Sequence, residues 1–448
     1  MKKFIVLALA IFALIGLIAC GTPATPATPA ENGAEPPPAT AEPTPDSDDT
    51  APSAEQTEEA RTITWMTRRS TGWEFMEELF AEYNALNPHI TIELERFPDI
   101  VTFTQQLQIR AAANALPNLF DIEVGTLMEE LAAAETLVNI DNLFAELSYD
   151  RMLPVGLSHS RLPSGGLYVI AWENNIEWVW YNRDMFEQAG IAQAPETFDE
   201  LIAVAQQLAE AGIVPVAQFP VWHATRWLSM MPFRLTGNDF LNQLVTGEAS
   251  MSDPVGLQAA TWFQDFAAYF QPGWATGNYG SALEAFLGGH AAMYFIGSWE
   301  FGSFLDGDGA IRPEYGFFSM PTLQGAVTGP YDTVAHSGLG TAILAETFDS
   351  DIRDFILWLL ENYPQKAFEA GVMPAMTFDT DAVEMTDFQR LVLEHSDRLE
   401  VALRPWDVVM HDSAVLVMNN ELENLGLGII TPEEFAERLD AAIADNLP

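Results

Sequence analysis

The chain has 448 residues, with 64 acidic side chains against 19 basic ones, a net charge of −45 and 48% hydrophobic residues. Such a charge opposes nucleic-acid binding, which needs a basic patch, and opposes docking on anionic lipid headgroups. Either an acidic surface adapted to the medium of a secreted protein or a cationic ligand would account for it. The length predicts two domains and permits a large apolar core.

The first twenty residues have the features of a secretory signal. Two lysines precede an uncharged apolar run over residues 4–19, which ends in Leu17-Ile18-Ala19-Cys20-Gly21. This ending resembles the lipobox of bacterial lipoproteins, and the run is shorter than the roughly 20 apolar residues of a membrane-spanning helix. We therefore expect residues 1–19 to be a lipoprotein signal peptide and Cys20 to carry the lipid that anchors the mature chain outside the cell membrane. A plain transmembrane anchor and an unlipidated signal are the alternatives.

Cys20 is the one cysteine of the chain. Without a second cysteine no disulfide forms within the chain, and the folded part has neither a cysteine nucleophile nor a thiolate metal site. The segment after Cys20 is rich in proline, threonine, alanine and acidic residues and has no aromatic side chain up to residue 60. Such a composition buries too little apolar surface to fold, and its prolines make a semi-rigid spacer. Residues 20–60 are therefore expected to be a disordered tether.

Strands and helices alternate from residue 61 onward. Apolar periodicity predicts strands at 62–66, 90–94 and 119–122 and helices at 73–86 and 103–113. This order with short connections implies a parallel sheet covered by helices, whose ligands gather at the carboxyl ends of the strands. Residues 67–73 and 121–125 are therefore expected on one rim. The later pattern predicts a helix over 195–211 that opens with a Thr197–Glu200 capping box, a helix and then a strand within 282–297, and strands over 213–219 and 340–344.

Four stretches resemble the extracellular solute-binding proteins that feed ABC importers, in particular the sugar-binding, maltose-binding-protein-like group. They are residues 63–66 with 80–84 and 87–90, residues 166–168 leading to 180–190, residues 195–201, and residues 285–293 running into Gly297-Ser298-Trp299. The resemblance covers residues 61–448. It implies a protein without enzymatic activity or cofactor, a monomer that captures a sugar or oligosaccharide and delivers it to the permease subunits of an ABC importer.

The resemblance also implies an α/β fold of two interleaved lobes with a ligand cleft between them. Lobe 1 would contain residues 61–172 and 330–373, and lobe 2 residues 174–325 and 378–448. The chain would cross between the lobes near 171–175, within 321–337, and near 373–377.

Candidate ligand contacts lie at strand ends and at these crossings. A sugar presents C–H groups on its faces and hydroxyls at its edges, which aromatic rings and carboxylates, amides or arginines respectively complement. The candidates are Arg68, Trp73, Asp121, Glu123, Glu173, Asn174, Trp178, Trp222, Trp299, His336, Gly338 and Arg404. The resemblance favours Trp299, which follows a Gly-Ser, and Glu173, which matches an acidic residue often found at the first crossing. By contrast, Trp262 lies in an amphipathic pattern and is expected in the core.

Other chemistries find little support in the sequence. It contains no HExxH, GxxxxGK[ST] or GxGxxG motif, and its seven histidines are scattered. Asp306-Gly307-Asp308-Gly309 lacks the acidic residue that a calcium loop needs eleven positions on, so a turn is expected and no metal site. The alternatives to the sugar-binding protein are a binding protein for a cationic solute such as a polyamine and a secreted glycoside hydrolase.

Overall fold

A computed structural model describes residues 59–68, 74–97 and 100–447, without the side chains of Glu74 and Val101. The expected signal peptide, Cys20 and the tether up to residue 58 lie outside the described residues.

The described residues form nine strands and sixteen α-helices. The strands are β1 (Arg61–Thr67), β2 (Ile90–Arg96), β3 (Leu119–Ile122), β4 (Asn175–Asn182), β5 (Val216–Ala217), β6 (Met293–Gly297), β7 (Tyr315–Phe318), β8 (Ala335–His336) and β9 (Gly340–Ile343). The helices are α1 (Glu74–Leu86), α2 (Ile100–Ala112), α3 (Thr126–Ala133), α4 (Ile140–Leu147), α5 (Pro154–Ser160), α6 (Arg183–Gln188), α7 (Phe198–Glu210), α8 (Trp222–Thr236), α9 (Asp239–Thr246), α10 (Pro254–Ala267), α11 (Tyr279–Leu287), α12 (Ser350–Glu369), α13 (Asp387–Arg398), α14 (Trp406–Val409), α15 (Asp412–Gly426) and α16 (Pro432–Ala444). Short 3₁₀ helices lie at Trp274–Thr276, Ser298–Phe304, Ala345–Thr347 and Thr380–Ala382. None of the helices in this part of the chain is both long and apolar enough to cross a membrane.

The first sheet has the strand order β2-β1-β3-β9. Strand β1 runs parallel to β2 and β3, as the strand–helix–strand pattern predicts, and β9 pairs antiparallel with β3. Side chains alternate across β1, so that Trp65 packs into one apolar core and Met66 into another. Both faces of the sheet are therefore covered by apolar side chains.

The second sheet has the order β5-β6-β4-β7, and β8 pairs with β4. Strand β4 is central, and its residues 175–180 are buried. Val179 packs into one core of this sheet, whereas Trp178 and Trp180 pack into another. The strand predicted over 213–219 is shorter in the structure, where only Val216–Ala217 pairs.

Three chain crossings join the two sheets. The first and last run side by side, because the Asn174 N–H donates to the Met373 carbonyl and the Ala375 N–H donates to the Trp172 carbonyl, each at 2.8 Å. The middle crossing lies at residues 337–339, between β8 of the second sheet and β9 of the first.

The middle crossing changes the lobe boundary that the resemblance implied. Residues 330–336 were expected in lobe 1. In the structure the Thr333 hydroxyl donates to the Glu177 carbonyl at 2.8 Å, and Ala335 pairs with Ile176, so this segment packs on the second sheet. We call the part around the first sheet the first lobe and the part around the second sheet the second lobe.

Two local predictions are confirmed at atomic detail. The Thr197 hydroxyl accepts from the Glu200 N–H, and the Glu200 carboxylate accepts from the Thr197 N–H, each at 3.2 Å, which caps α7. The Asp306 carboxylate accepts from the backbone N–H groups of Asp308 and Ala310 at 3.0 Å, so this acidic segment is a turn held by its own side chain.

Candidate functional site

Two tryptophans of the second lobe form an aromatic wall. Trp222 is the first residue of α8, and Trp299 follows β6 in the turn that begins at Ser298. Their ring centroids are 6.1 Å apart at an angle of 68°, and the Trp299 ring lies 5.5 Å from that of His336. A Cβ at Gly297 would stand 2.0 Å from the Trp299 ring, so only glycine lets the indole lie against the backbone there. Both indoles are half-buried and thus keep exposed surface.

A buried ion-pair network lies beneath this wall. Glu177 of β4 has no exposed surface, and its Oε1 accepts from Arg226 Nε at 3.1 Å and from His336 Nε2 at 3.0 Å. Arg226 also donates to Asp407 of α14, and its guanidinium lies 5.1 Å from the centre of the Trp222 ring. Burial would raise the pKa of Glu177, but Arg226 and His336 lower it below its usual value. The network therefore fixes the Arg226 guanidinium next to the Trp222 ring.

His336 has one defined hydrogen-bonding arrangement. The N–H of Gly338, whose φ of +62° suits glycine, donates to His336 Nδ1 at 2.9 Å. Nδ1 is therefore the acceptor, and Nε2 carries the hydrogen that points to Glu177. The middle crossing is thus fixed to β4 by a side chain rather than by backbone pairing alone.

The first lobe contributes Arg68 and Glu123, which directly follow β1 and β3. The Glu123 side chain is accessible to solvent, but the protein around it partly desolvates its carboxyl. This desolvation and Asp407 raise the pKa of the carboxyl, while His336, Arg226 and Arg68 lower it. Its carboxylate thus lies within electrostatic reach of α14 on the opposite lobe. Close by, a Cβ at Gly125 would stand 3.7 Å from a carboxylate oxygen of Asp412 at the start of α15. Of the rim predicted at residues 121–125, Glu123 and Gly125 therefore face the second lobe across a narrow cleft.

Polar groups line the crossings at the end of this cleft. Asn175 donates to Glu173 at 3.1 Å, and His159 of α5 bonds Ser337 through Nδ1 at 3.0 Å. Asn174 is 8% exposed. Its Oδ1, Glu177 Oε2, His159 Nε2 and Arg68 Nε have no hydrogen-bond partner among the described residues. Burial, followed by the charges of His336 and Arg226, holds the pKa of His159 well below its usual value. These four polar atoms are thus buried near the crossings and the wall without a hydrogen-bond partner from the described residues.

Two predicted ligand contacts are corrected by the structure. Trp178 has no exposed surface and is stacked between Phe317 at 4.3 Å and Phe301 at 5.0 Å, so it offers no face to a ligand. Asp121 is also wholly buried and accepts hydrogen bonds from Trp65 and Thr341 at 3.1 and 2.7 Å. It ties three elements of the first lobe together instead of facing the cleft.

Two further candidates stand apart. Trp73 lies outside the described residues. Arg404 is half-buried, donates to Asn242 at 3.2 Å, and has a pKa lowered by burial. It also lowers the pKa of His159, so it lies within electrostatic reach of the crossings. The structure thus brings together Arg68, Glu123, Glu173, Asn174, Trp222, Trp299, His336, Gly338 and Arg404 around the cleft and crossings.

Sequence reasoning missed Arg226 and Asp407. Arg226 could have been found, because it lies four residues after Trp222 and so shares its helix face. Asp407 follows Trp406, which is buried, and only the tertiary fold brings it to Arg226. Among the described residues no group of three or more His, Cys, Asp or Glu side chains is arranged to hold a metal ion.

Comparisons with known proteins agree with this geometry. A model of the bacterial extracellular solute-binding proteins matches residues 71–366. An uncharacterized ABC transporter extracellular-binding protein of Pyrococcus horikoshii is 26% identical over 238 residues, which are 52% of this chain and 52% of that protein. A probable sugar-binding periplasmic protein of Rhizobium meliloti is 26% identical over 235 residues, 51% of this chain and 56% of that protein. The chain thus spans about half the length of the curated relatives it matches.

The fold has counterparts among solved structures. A chitin oligosaccharide binding protein superposes with a TM-score of 0.74 at 19% identity, over 86% of this chain and 98% of that one. At this identity the likeness concerns the fold, which is that of two-lobe solute-binding proteins.

Proposed function

This chain belongs to the bacterial extracellular solute-binding proteins, and we propose that it captures a sugar or oligosaccharide between its lobes and delivers it to the permease of an ABC importer. The observation that carries the proposal is the wall formed by Trp222 and Trp299, two half-buried indoles 6.1 Å apart in a cleft that also holds charged side chains. The relative in Rhizobium meliloti is a probable sugar-binding periplasmic protein, which supports the same ligand class.

The chemistry of the cleft suits a polyhydroxylated ring. An indole face receives the C–H groups of a sugar, and the angle of 68° between the two rings lets one stack while the other closes an edge. Glu123 and Arg68 from the first lobe and Asp407 from the second would supply acceptors and donors for the ligand's hydroxyl groups. Closure of the lobes would then remove the ligand from water, and the permease would recognise the closed form. No chemical step is required, and the protein acts as a binder rather than an enzyme.

Lipid attachment completes the proposed arrangement. Cys20 would carry the anchor, and residues 20–60 would lift the folded part away from the outer face of the cell membrane. Fully extended, forty residues of polyproline type reach roughly 120 Å. A monomer on such a tether can sample the medium and still meet a permease in the same membrane.

A cationic solute such as a polyamine is the second candidate. It is favoured by one feature of the cleft. Glu123 and Asp407 lie on opposite lobes, and the charge of Asp407 raises the pKa of the Glu123 carboxyl. An ammonium group between them would relieve their repulsion.

A thermal-shift screen tests the ligand class. The panel contains maltotriose, xylotriose, chitotriose and raffinose, together with spermidine and putrescine. A ligand at one hundred times its dissociation constant stabilises the folded protein by about 2.7 kcal/mol. We expect stabilisation by a saccharide and no release of smaller sugars from it in a turnover assay. Stabilisation by the polyamines alone would reject the sugar, and saccharide hydrolysis would favour the glycoside hydrolase.

A further inference from the structure

The residue before Trp222 has a backbone conformation that glycine usually occupies. Val221 has φ +67° and ψ −135°. The other described non-glycine residues with positive φ are Asn114, Glu135 and Ser148, at 51–57°. Unlike them, Val221 is branched at Cβ, and a branched residue at positive φ is a true conformational outlier. The native fold is therefore strained at this position.

The strain is maintained by the elements on either side of Val221. The Val221 carbonyl accepts from the Ala224 N–H at 3.1 Å, which starts α8. His223, the second residue of the same helix, is wholly buried, stacks on Phe219 at 4.2 Å and bonds the Phe295 carbonyl. Since both ends of the turn are fixed by buried groups, residue 221 has to take this conformation whatever its side chain is.

The Val221 side chain itself does little for the fold. It is 46% exposed and belongs to none of the apolar cores of the described residues. A glycine would adopt the same backbone conformation without strain. What valine adds at this place is an exposed apolar surface directly next to Trp222.

We propose that Val221 is a specificity-determining residue of the cleft, whose isopropyl group contacts the apolar face of the ligand beside Trp222. This rests on the proposed function, because it places the ligand against the Trp222–Trp299 wall. The ligand chemistry it favours is a ring face rich in C–H groups, since an aliphatic group next to an indole extends an apolar surface. Strain in the free protein is thus the consequence of presenting this side chain.

The test compares Val221→Gly, Val221→Ala and the unaltered protein. Urea unfolding of the ligand-free protein measures stability, and calorimetric titration measures affinity for the panel saccharide that gave the largest thermal shift, or for spermidine if only the polyamines bind. We expect Val221→Gly to raise the urea midpoint while weakening binding about 5- to 15-fold, from the lost apolar contact. Val221→Ala should weaken binding to a similar extent without the gain in stability, because alanine keeps a Cβ at positive φ.

Ser148→Gly is the matched control, because Ser148 also has positive φ but caps α4 in the first lobe. This variant should change stability without changing affinity. Unaltered affinity in Val221→Gly would overturn the proposal, and so would a lower urea midpoint in that variant, which would mean that the backbone is not strained. If the unaltered protein binds no compound of the panel, the proposed function fails first, and the inference about Val221 fails with it.

Discussion

Trp299 combines an accessible indole with neighbours that fix its position. Its ring lies 6.1 Å from that of Trp222 and 5.5 Å from that of His336, and it rests on Gly297. A stacked indole provides apolar area and about 0.5–1.5 kcal/mol of aromatic contact. We therefore predict that Trp299→Ala lowers affinity about 30- to 150-fold, equivalent to about 2–3 kcal/mol. Calorimetric titration with the bound saccharide measures this loss.

Trp262→Ala is the control for that substitution. Trp262 is buried, as its amphipathic pattern predicts, and stacks on Phe266 at 4.9 Å. Its loss should cost about 3–5 kcal/mol of folding stability but leave the affinity of the folded protein unchanged. If Trp299→Ala behaved like Trp262→Ala in both measurements, Trp299 would be a core residue and not a ligand contact.

His223 is predicted to make the protein sensitive to acid. Burial lowers its pKa from 6.5 to about 4, and its Nε2 donates to the Phe295 carbonyl while Nδ1 has no partner among the described residues. Between pH 6.5 and 4 the unfolded chain therefore binds a proton here that the folded chain does not, and stability falls as pH falls through this window. The loss from this one residue reaches about 3 kcal/mol.

His223→Gln keeps a donor but cannot titrate. Urea unfolding at several pH values should give a flatter dependence between pH 6.5 and 4 than in the unaltered protein, by up to one proton. His159 is also buried with a lowered pKa, so part of the slope should persist. An unchanged slope in His223→Gln would contradict the assignment of His223 as a buried neutral group.

At the scale of single residues, the sequence cannot separate Trp178 from Trp299. Trp178 was predicted at the first crossing and Trp299 after a strand, and both are tryptophans next to polar residues. Trp178 lies within the central strand β4, where Phe301 and Phe317 cover its face of the sheet. These two phenylalanines lie more than 100 residues from Trp178 in the chain, so no local sequence pattern predicts that they bury it. By contrast, Trp299 comes after its strand and a Gly-Ser, which predicts a side chain outside the core, and its indole is half-buried in the structure.

At the scale of elements, Arg226 joins three parts of the second lobe. It lies on α8 and binds Glu177 of β4 and Asp407 of α14, with 5% of its own side chain exposed. We predict that Arg226→Met destabilises the protein by about 3–5 kcal/mol, because two carboxylates are then left without their partner. The double variant Arg226→Met with Glu177→Gln should recover part of the loss, and a double-mutant cycle measures the coupling.

The same substitution at an exposed pair provides the comparison. Arg390 pairs with Asp387 on the surface of α13, so Arg390→Met should change stability by less than about 1 kcal/mol. Equal effects of Arg226→Met and Arg390→Met would mean that the buried network contributes nothing to the attachment of α8.

Elements made by local contacts were predictable, whereas those made by distant pairing were not. The strands β1 to β3 and the capped helix α7 follow from periodicity and from the Thr197–Glu200 pair. Strand β9 was predicted as a strand, but its antiparallel place beside β3 joins Phe120 to Ala342, which are far apart in the chain. The boundary at the middle crossing failed for the same reason, since Thr333 and Ala335 are held by β4 and not by their neighbours.

At the scale of the whole molecule, the anchor is the feature that rests on sequence alone. Cys20 at a lipobox-like site leads us to predict that Cys20→Ser abolishes lipid attachment. Labelling cells with a fatty-acid precursor and separating membranes from soluble material measures it. The unaltered protein should carry label and follow the membranes, and the variant should do neither. Equal label and equal membrane partition in the variant would reject the lipoprotein assignment.

Closure of the cleft should also depend on pH through Glu123. In the described arrangement Gly125 approaches Asp412 from the opposite lobe, and desolvation together with Asp407 raises the pKa of the Glu123 carboxyl above its usual 4.5. When the lobes separate, desolvation and the charge of Asp407 act less on Glu123, and so do the opposing charges of Arg226 and His336. Because the net shift of the Glu123 pKa is upward, an arrangement with the lobes close together binds a proton more tightly than one with the lobes apart. By linkage, acidification favours closure as pH falls through the raised pKa, and the gain levels off below 4.5.

We therefore predict that affinity for a neutral saccharide rises as the pH is lowered toward 4.5, and that Glu123→Gln removes this rise while binding well at neutral pH. Titration calorimetry across the pH range measures affinity, and small-angle scattering of the ligand-free protein measures the open and closed populations. Acid destabilisation from His223 acts on folding and is common to both proteins, so the comparison between them isolates Glu123. The same pH dependence of affinity in the unaltered protein and in Glu123→Gln would contradict this prediction. It would mean that repulsion between Glu123 and Asp407 does not affect closure of the lobes.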